Sequence, residues 1–295
     1  MYDYVIVGAG SAGCVLASRL TEDPDVSVLL IEAGPPDSIE NIHVPLAFPQ
    51  LLHSQVDWDY STLPEPFADR RRVHLPRGKT LGGSSSINWM VYIRGHRADF
   101  DQWLEAGCEG WGYAELLPYF KRSEDNERGT SEYHGVGGPV SVSDGRSRNP
   151  MPEAFLDACD QAGQARNEDF NGAEQDGFGR YQVTQGDGKR CSTAVGYLHP
   201  AMSRPNLTVE TFTLVHRVLF DAGISHEYRL VKGADHVGPS LPPRSLDAFA
   251  FIGRQFNTPK WINDAVLRSR AITDELKKER GYPVRPFDPD RIHAQ

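Results

Sequence analysis

Two glycine clusters and one carboxylate are the residues whose types and spacing point most directly to chemistry. Gly8-Ala9-Gly10-Ser11-Ala12-Gly13 has the G-x-G-x-x-G spacing, and Glu32 follows Gly13 by 19 positions. In such a motif the first glycine permits a tight turn, the second lets backbone approach a pyrophosphate, and the third lets a helix pack closely on a strand. The anion then meets the free N–H groups of the helix start. An acidic residue about 20 positions further on suits the hydroxyls of a ribose. The chemistry indicated is dinucleotide binding, and the motif alone leaves NAD and FAD open. A second cluster, Gly78-Lys79-Thr80-Leu81-Gly82-Gly83-Ser84-Ser85-Ser86, offers amides and hydroxyls to a phosphate or a polar ring edge. The apolar run after Asn88 is expected to anchor that loop in the core.

These residues need elements to hold them. Tyr4-Val5-Ile6-Val7 reads as a short strand, and Cys14 to Leu20 carries apolar residues at helical spacing. Asp23-Pro24-Asp25 closes that helix, and Val26 to Ile31 is the near-continuous apolar run of a parallel strand covered on both faces. The glycine motif therefore sits between strand and helix of a βαβ unit. Further on, Tyr113 to Glu124 predicts an amphipathic helix with Leu116, Leu117 and Phe120 on one face.

The chain has 295 residues, 31 Lys plus Arg, 40 Asp plus Glu and a net charge of −9, which disfavours nucleic acid as a partner. Its length predicts about two domains. Residues 1–223 hold 19 basic and 31 acidic side chains with 24 glycines, whereas 224–295 hold 12 basic, 9 acidic and 4 glycines. Cys14, Cys108, Cys159 and Cys191 are far apart and predict reduced thiols. No signal peptide or transmembrane run is read, so a cytoplasmic protein is expected.

The sequence resembles the glucose-methanol-choline (GMC) flavoprotein oxidoreductases, particularly choline dehydrogenase-like members. The resemblance rests on the opening motif with Glu32-Ala33-Gly34, and on Gly78-Lys79-x-Leu81-Gly82-Gly83-Ser84-Ser85-x-Ile87-Asn88. It continues in Tyr92-Ile93-Arg94-Gly95-His96, Gly110-Trp111, Arg190-Cys191-Ser192-Thr193-Ala194 and Pro205-Asn206-Leu207-Thr208-Val209, covering roughly residues 1–223. It implies an α/β fold: a Rossmann-like FAD-binding domain with parts of an α+β substrate domain starting at about residue 137. Carried over, Gly8, Gly10, Ser11, Ala12 and Gly13 face the pyrophosphate of FAD, with Glu32 and Ala33 toward the adenosine ribose. Gly78, Leu81, Gly82, Gly83, Asn88, Met90 and Val91 lie along the flavin side, and the backbone of Val215 meets adenine. Some relatives attach flavin to a histidine before the signature asparagine; Ile87 stands there, so FAD is expected to be non-covalent. His96, Trp103 and Trp111 are read as organising the loop over the flavin. The resemblance implies a small primary alcohol as substrate and an electron acceptor as partner.

Alcohol oxidation also needs a base beside the flavin, which in this family is a late histidine following a second signature. Neither is read after residue 223. The sequence expectation is therefore a truncated flavoprotein joined to a different tail. Residues 224–256 resemble the last segment of α/β-hydrolase esterases, with His236 in the place of the triad base, but no Gly-x-Ser-x-Gly elbow occurs. Residues 257–295 read as a polar helix and an extended tail. A catalytically inactive FAD-binding fusion and an esterase using His236 are the alternative functions.

Overall fold

The glycine-flanked βαβ unit forms where its spacing places it. The structure, a computed structural model, describes residues 2–147 and 149–216. The stretches assigned from the sequence to 224–256 and 257–295, His236 included, lie outside the described residues. In chain order the strands are β1 (Tyr4–Val7), β2 (Val28–Ile31), β3 (Tyr60–Ser61), β4 (His74–Leu75), β5 (Val91–Tyr92), β6 (Glu124–Asn126), β7 (Val140–Asp144), β8 (Gln182–Val183), β9 (Gln185–Gly186), β10 (Lys189–Arg190) and β11 (Leu207–Glu210). The helices are α1 (Ser11–Leu20), α2 (Glu40–His43), α3 (Arg97–Glu105), α4 (Tyr113–Ser123), α5 (Pro150–Gln161) and α6 (His199–Ala201).

β1, β2 and β11 make a parallel sheet in the order β1-β2-β11, with Tyr4 opposite Val28 and Leu207 opposite Val28 on the other side. The central strand takes the apolar run and buries Val28, Leu30 and Ile31. On β1, by contrast, Tyr4, Val5 and Val7 remain about half exposed. The core beside the sheet gathers Cys14 and Ala17 of α1, Leu81, and Ala194, Tyr197 and Leu198 of a π-helical turn over Ala194–Leu198. Small residues on α1 bring it close: a Cβ on Gly13 would stand 2.0 Å from the carbonyl oxygen of Gly8. A smaller cluster of Ile42, Leu51, Val56 and Ile87 lies under the second glycine loop. Among the described residues no helix is long and apolar enough to cross a membrane.

The described residues fall into two units, one of residues 2–101 with 111–147 and 149–216, the other beginning at residue 102. Of the second, residues 102–110 are described. They finish α3 and close it with the Cys108 amide donating to the Trp103 carbonyl at 3.0 Å.

A second sheet in the order β5-β8-β7-β6 is mixed, with β6 parallel to β7 and β8 antiparallel to both β7 and β5. Buried polar groups hold its end. Arg94 Nη2 meets Glu124 Oε2 at 3.1 Å, and His134 places Nδ1 3.0 Å from Glu124 Oε1 and Nε2 2.9 Å from Asp169 Oδ2. The Gly135 amide also donates to Glu124 at 2.7 Å. Hydrogen bonds to Asp169 and Glu124 raise the pKa of His134 to about 9 against the opposing effect of burial. In turn, the His134 and Gly135 donors overcome burial at Glu124 and hold its carboxyl below its ordinary range.

Because the folded-state pKa of His134 lies above that of the unfolded chain, its contribution is complete below pH ~6.5 and fades as pH rises through about 9. Chemical denaturation at pH 7 and pH 9.5 should therefore show a loss on the order of 2 kcal/mol at the higher pH, and His134→Gln should flatten that difference.

Candidate functional site

The two glycine clusters, 70 residues apart in sequence at Gly13 and Gly83, meet backbone to backbone. A Cβ on Gly83 would stand 2.7 Å from Gly10 Cα, one on Gly78 would stand 2.1 Å from the Gly83 carbonyl, and one on Gly34 would stand 1.9 Å from the Lys79 carbonyl oxygen. The Gly82 amide donates to the Ala9 carbonyl at 2.8 Å. Gly8 (φ +94°), Gly82 (φ +84°) and Gly83 (φ +54°) also occupy the left-handed region that favours glycine. Three segments thus converge at a spacing that no larger residue permits.

The other side of the first loop is open. A Cβ on Gly8 or Gly10 would meet nothing within 4 Å. Gly10 caps α1 in extended conformation with no side-chain hydrogen bond, and the N–H groups of Ser11, Ala12 and Gly13 lack acceptors within the helix. Ser11 and Ala12 are exposed. This arrangement fits a pyrophosphate: room beside bare backbone, and a helix start directed at an anion.

Glu32 directly follows β2 beside this opening and is 5% exposed. Its Oε2 accepts from the Ala9 amide at 2.8 Å and its Oε1 from the Gly34 amide at 2.9 Å. Burial raises its pKa in spite of those donors. The carboxylate therefore ties the glycine turn to the end of β2, and each oxygen retains a second lone pair for a ribose hydroxyl. The end of β11 closes the same corner, since the Phe212 and Thr213 amides donate to Gly34 and Glu32 carbonyls at 2.9 Å each. Val215 follows two residues after Thr213. Ala33 is half-buried on the turn between Glu32 and Gly34.

The second loop departs from expectation in two respects. Two of its serine hydroxyls are spent on the loop, since Ser85 and Ser86 donate to the carbonyls of Gly82 (2.6 Å) and Leu81 (2.7 Å), while Ser84 Oγ accepts from the Gly78 amide (3.1 Å). They brace the turn and leave its backbone to face a ligand. The run after Asn88 also anchors less than its composition suggests. Met90 is 4% exposed, but Trp89 is 67%, Val91 44% and Ile93 45% exposed. Leu81 is buried, and Asn88 is exposed at the loop end.

Arg190, which spacing did not assign to the site, locks that loop from behind. It is 1% exposed. Nε donates to the Ile42 carbonyl at 2.7 Å, and Nη1 reaches the Ser85 carbonyl (3.1 Å), the Asn88 carbonyl (2.8 Å) and Asn88 Oδ1 (2.8 Å). Burial brings its pKa down to about 10. Asp37, also unassigned, is 4% exposed and receives His199 Nε2 at 3.0 Å on Oδ1. Cys14 is a buried free thiol pushed by burial to about 11, in keeping with an inert cysteine. His96 accepts from the Ala98 amide through Nδ1 at 3.1 Å and so caps α3.

The sequence pattern of the GMC oxidoreductase family matches residues 2–234. Mitochondrial choline dehydrogenase of Homo sapiens is 44% identical over 291 residues, which cover 96% of this chain and 48% of that protein. The Mus musculus counterpart is 51% identical over 228 residues, covering 75% of this chain and 38% of that protein. A solved pyridoxine 4-oxidase from Mesorbium loti superposes with a TM-score of 0.74 at 38% identity, over 79% of this chain and 46% of that one. The chain spans less than half the length of these curated relatives.

The geometry separates two glycines by role. Gly10→Ala places a methyl in open space with ordinary backbone angles, so it should leave the melting temperature of the flavin-free protein unchanged while weakening FAD binding about tenfold or more. Gly83→Ala forces two backbones apart at a positive φ and should lower that melting temperature by several degrees. Thermal melts and FAD titration of both variants, with the exposed Gly145→Ala as control, check the distinction.

Proposed function

Starting from a chain that belongs to the GMC oxidoreductase family, we propose that it holds FAD non-covalently and serves the oxidation of a choline-like primary alcohol, with the electrons passing to a separate acceptor. The observation that carries this reading is the backbone contact of the Gly10 and Gly83 loops beside an open helix start. Gly8, Gly10, Ser11, Ala12 and Gly13 would hold the pyrophosphate through amides and the α1 N-terminus. Glu32 would accept from the ribose, with Ala33 alongside and the Val215 backbone toward adenine. Gly78, Leu81, Gly82, Gly83, Asn88, Met90 and Val91 would line the flavin. When bound, FAD supplies the acceptor for a hydride leaving the alcohol carbon.

Ile87 supports non-covalent binding: it offers no nucleophile and is 3% exposed within the Ile42–Leu51–Val56 cluster. Arg190 would fix the loop position through which the flavin is oriented. In this reading residues 1–223 are the flavin-holding portion, with strands of the substrate domain from about 137, and the role of 224–295 is separate.

Purified protein should show flavin absorption bands and release free FAD on acid precipitation, and addition of choline or a similar primary alcohol without oxygen tests whether this chain, in which the late histidine base is not read, also carries the oxidation. A yellow protein that alcohol does not bleach would retain the cofactor role and remove the oxidation role from this chain. Colourless protein that FAD neither colours nor stabilises would overturn both.

A further inference from the structure

Away from the glycine loops, His53, Asp57, Asp59 and His74 converge at the base of the β3–β4 hairpin. His53 Nδ1 lies 2.6 Å from Asp59 Oδ1, and His74 Nε2 lies 3.3 Å from the same oxygen and 3.0 Å from Asp57 Oδ2. The two imidazoles stack with centroids 3.8 Å apart and planes inclined by 27°. The ligating atoms of His53, Asp59 and His74 all lie within 4.8 Å of one another. We propose that His53 Nδ1, His74 Nε2 and Asp59 Oδ1 form a surface site for a divalent transition-metal ion of the zinc type, completed by water.

Two imidazoles and a carboxylate with one open position are a donor set suited to Zn²⁺, which takes nitrogen and oxygen ligands at about 2.0–2.2 Å in tetrahedral geometry. Tetrahedral ligands at that distance stand roughly 3.4 Å apart. The His74–Asp59 separation of 3.3 Å already matches, and the His53–Asp59 pair needs to open by less than 1 Å from 2.6 Å.

Asp57 provides the support. Its side chain is fully buried, and its carboxylate accepts from the amides of His53 (3.1 Å), Asp59 (3.1 Å) and Arg77 (3.0 Å). It therefore fixes the backbone of two ligands and the start of the second glycine segment, and it adds negative charge 3.0 Å from His74 Nε2. His53 and Asp59 side chains are 61% and 58% exposed, which leaves the ion an entry path. Asp57 pairs with Gly78 as an isolated bridge, and the Lys79 amide donates to the Val56 carbonyl at 2.7 Å. A bound ion would clip the 53–59 segment to the strand that feeds the Gly78–Gly83 loop.

The test uses the full chain after dialysis against a chelator, titrated with Zn²⁺ against a chromophoric competitor and with Co²⁺ for its visible absorption. The expected result is one strong equivalent per chain, a tetrahedral-type Co²⁺ band, and a melting temperature raised by about 3 °C or more at a hundredfold excess over Kd. His53→Gln and His74→Gln should each weaken binding by about tenfold or more with circular dichroism unchanged. If His74→Gln fails to fold, the exposed Asp59→Asn takes its place. Absence of a strong equivalent in the native chain, or His53→Gln and Asp59→Asn both retaining native affinity, would overturn the site.

Discussion

The contact between Gly10 and Gly83 is the constraint from which the rest of the structure follows. A Cβ at Gly83 would lie 2.7 Å from Gly10 Cα, well inside van der Waals contact, so the two loops approach only as bare backbone. The Gly13 and Gly34 contacts repeat the condition on either side, one between helix and strand and the other between the β2 turn and Lys79. Close approach aligns polar backbone around one opening without spending side-chain entropy, at the cost of glycine's flexibility in the unfolded chain. The core packs behind this junction: Leu81 and Ala194 fill the space that the turns leave against α1.

Charged side chains buried around the junction carry a second layer of order. Arg190 donates through Nε and Nη1 to carbonyls of Ile42, Ser85 and Asn88, and the Glu32 oxygens accept from the amides of Ala9 and Gly34. A buried charge unmatched in this way would be costly. Each therefore fixes the path of the chain at several points at once, which suits a loop that has to hold one ring system in one orientation. The Arg94–Glu124–His134–Asp169 network does the same for the second sheet, where short strands bury little apolar area.

Much of the nucleotide-binding unit was legible in the residues alone. Glycine spacing, the apolar run before it and the acid 19 positions after it are local features. β1, α1 and β2 form within two or three residues of where those features put them, and α4 covers the expected amphipathic segment. Local patterns were less informative for the loop after Asn88. Hydrophobicity suggested full anchoring, whereas Met90 is buried and Trp89, Val91 and Ile93 stay exposed. The Ser85 and Ser86 hydroxyls, read as open to a ligand, donate within their own turn, since a side chain that can reach a neighbouring backbone group competes with any external partner.

The sequence by itself thus determined that a glycine turn between strand and helix would exist, that Glu32 would stand at the end of the second strand's apolar run, and that Ile87 could not bond a flavin. Tertiary structure decided what those residues touch. The order β1-β2-β11 requires a strand from residues 207–210 to return beside 28–31, Arg190 reaches residue 42 across 148 positions, and His53 meets His74 only after a hairpin closes. Such contacts depend on how distant segments close upon each other, and no residue's type or near neighbours encode that distance. Spacing specifies a turn; packing specifies its partner.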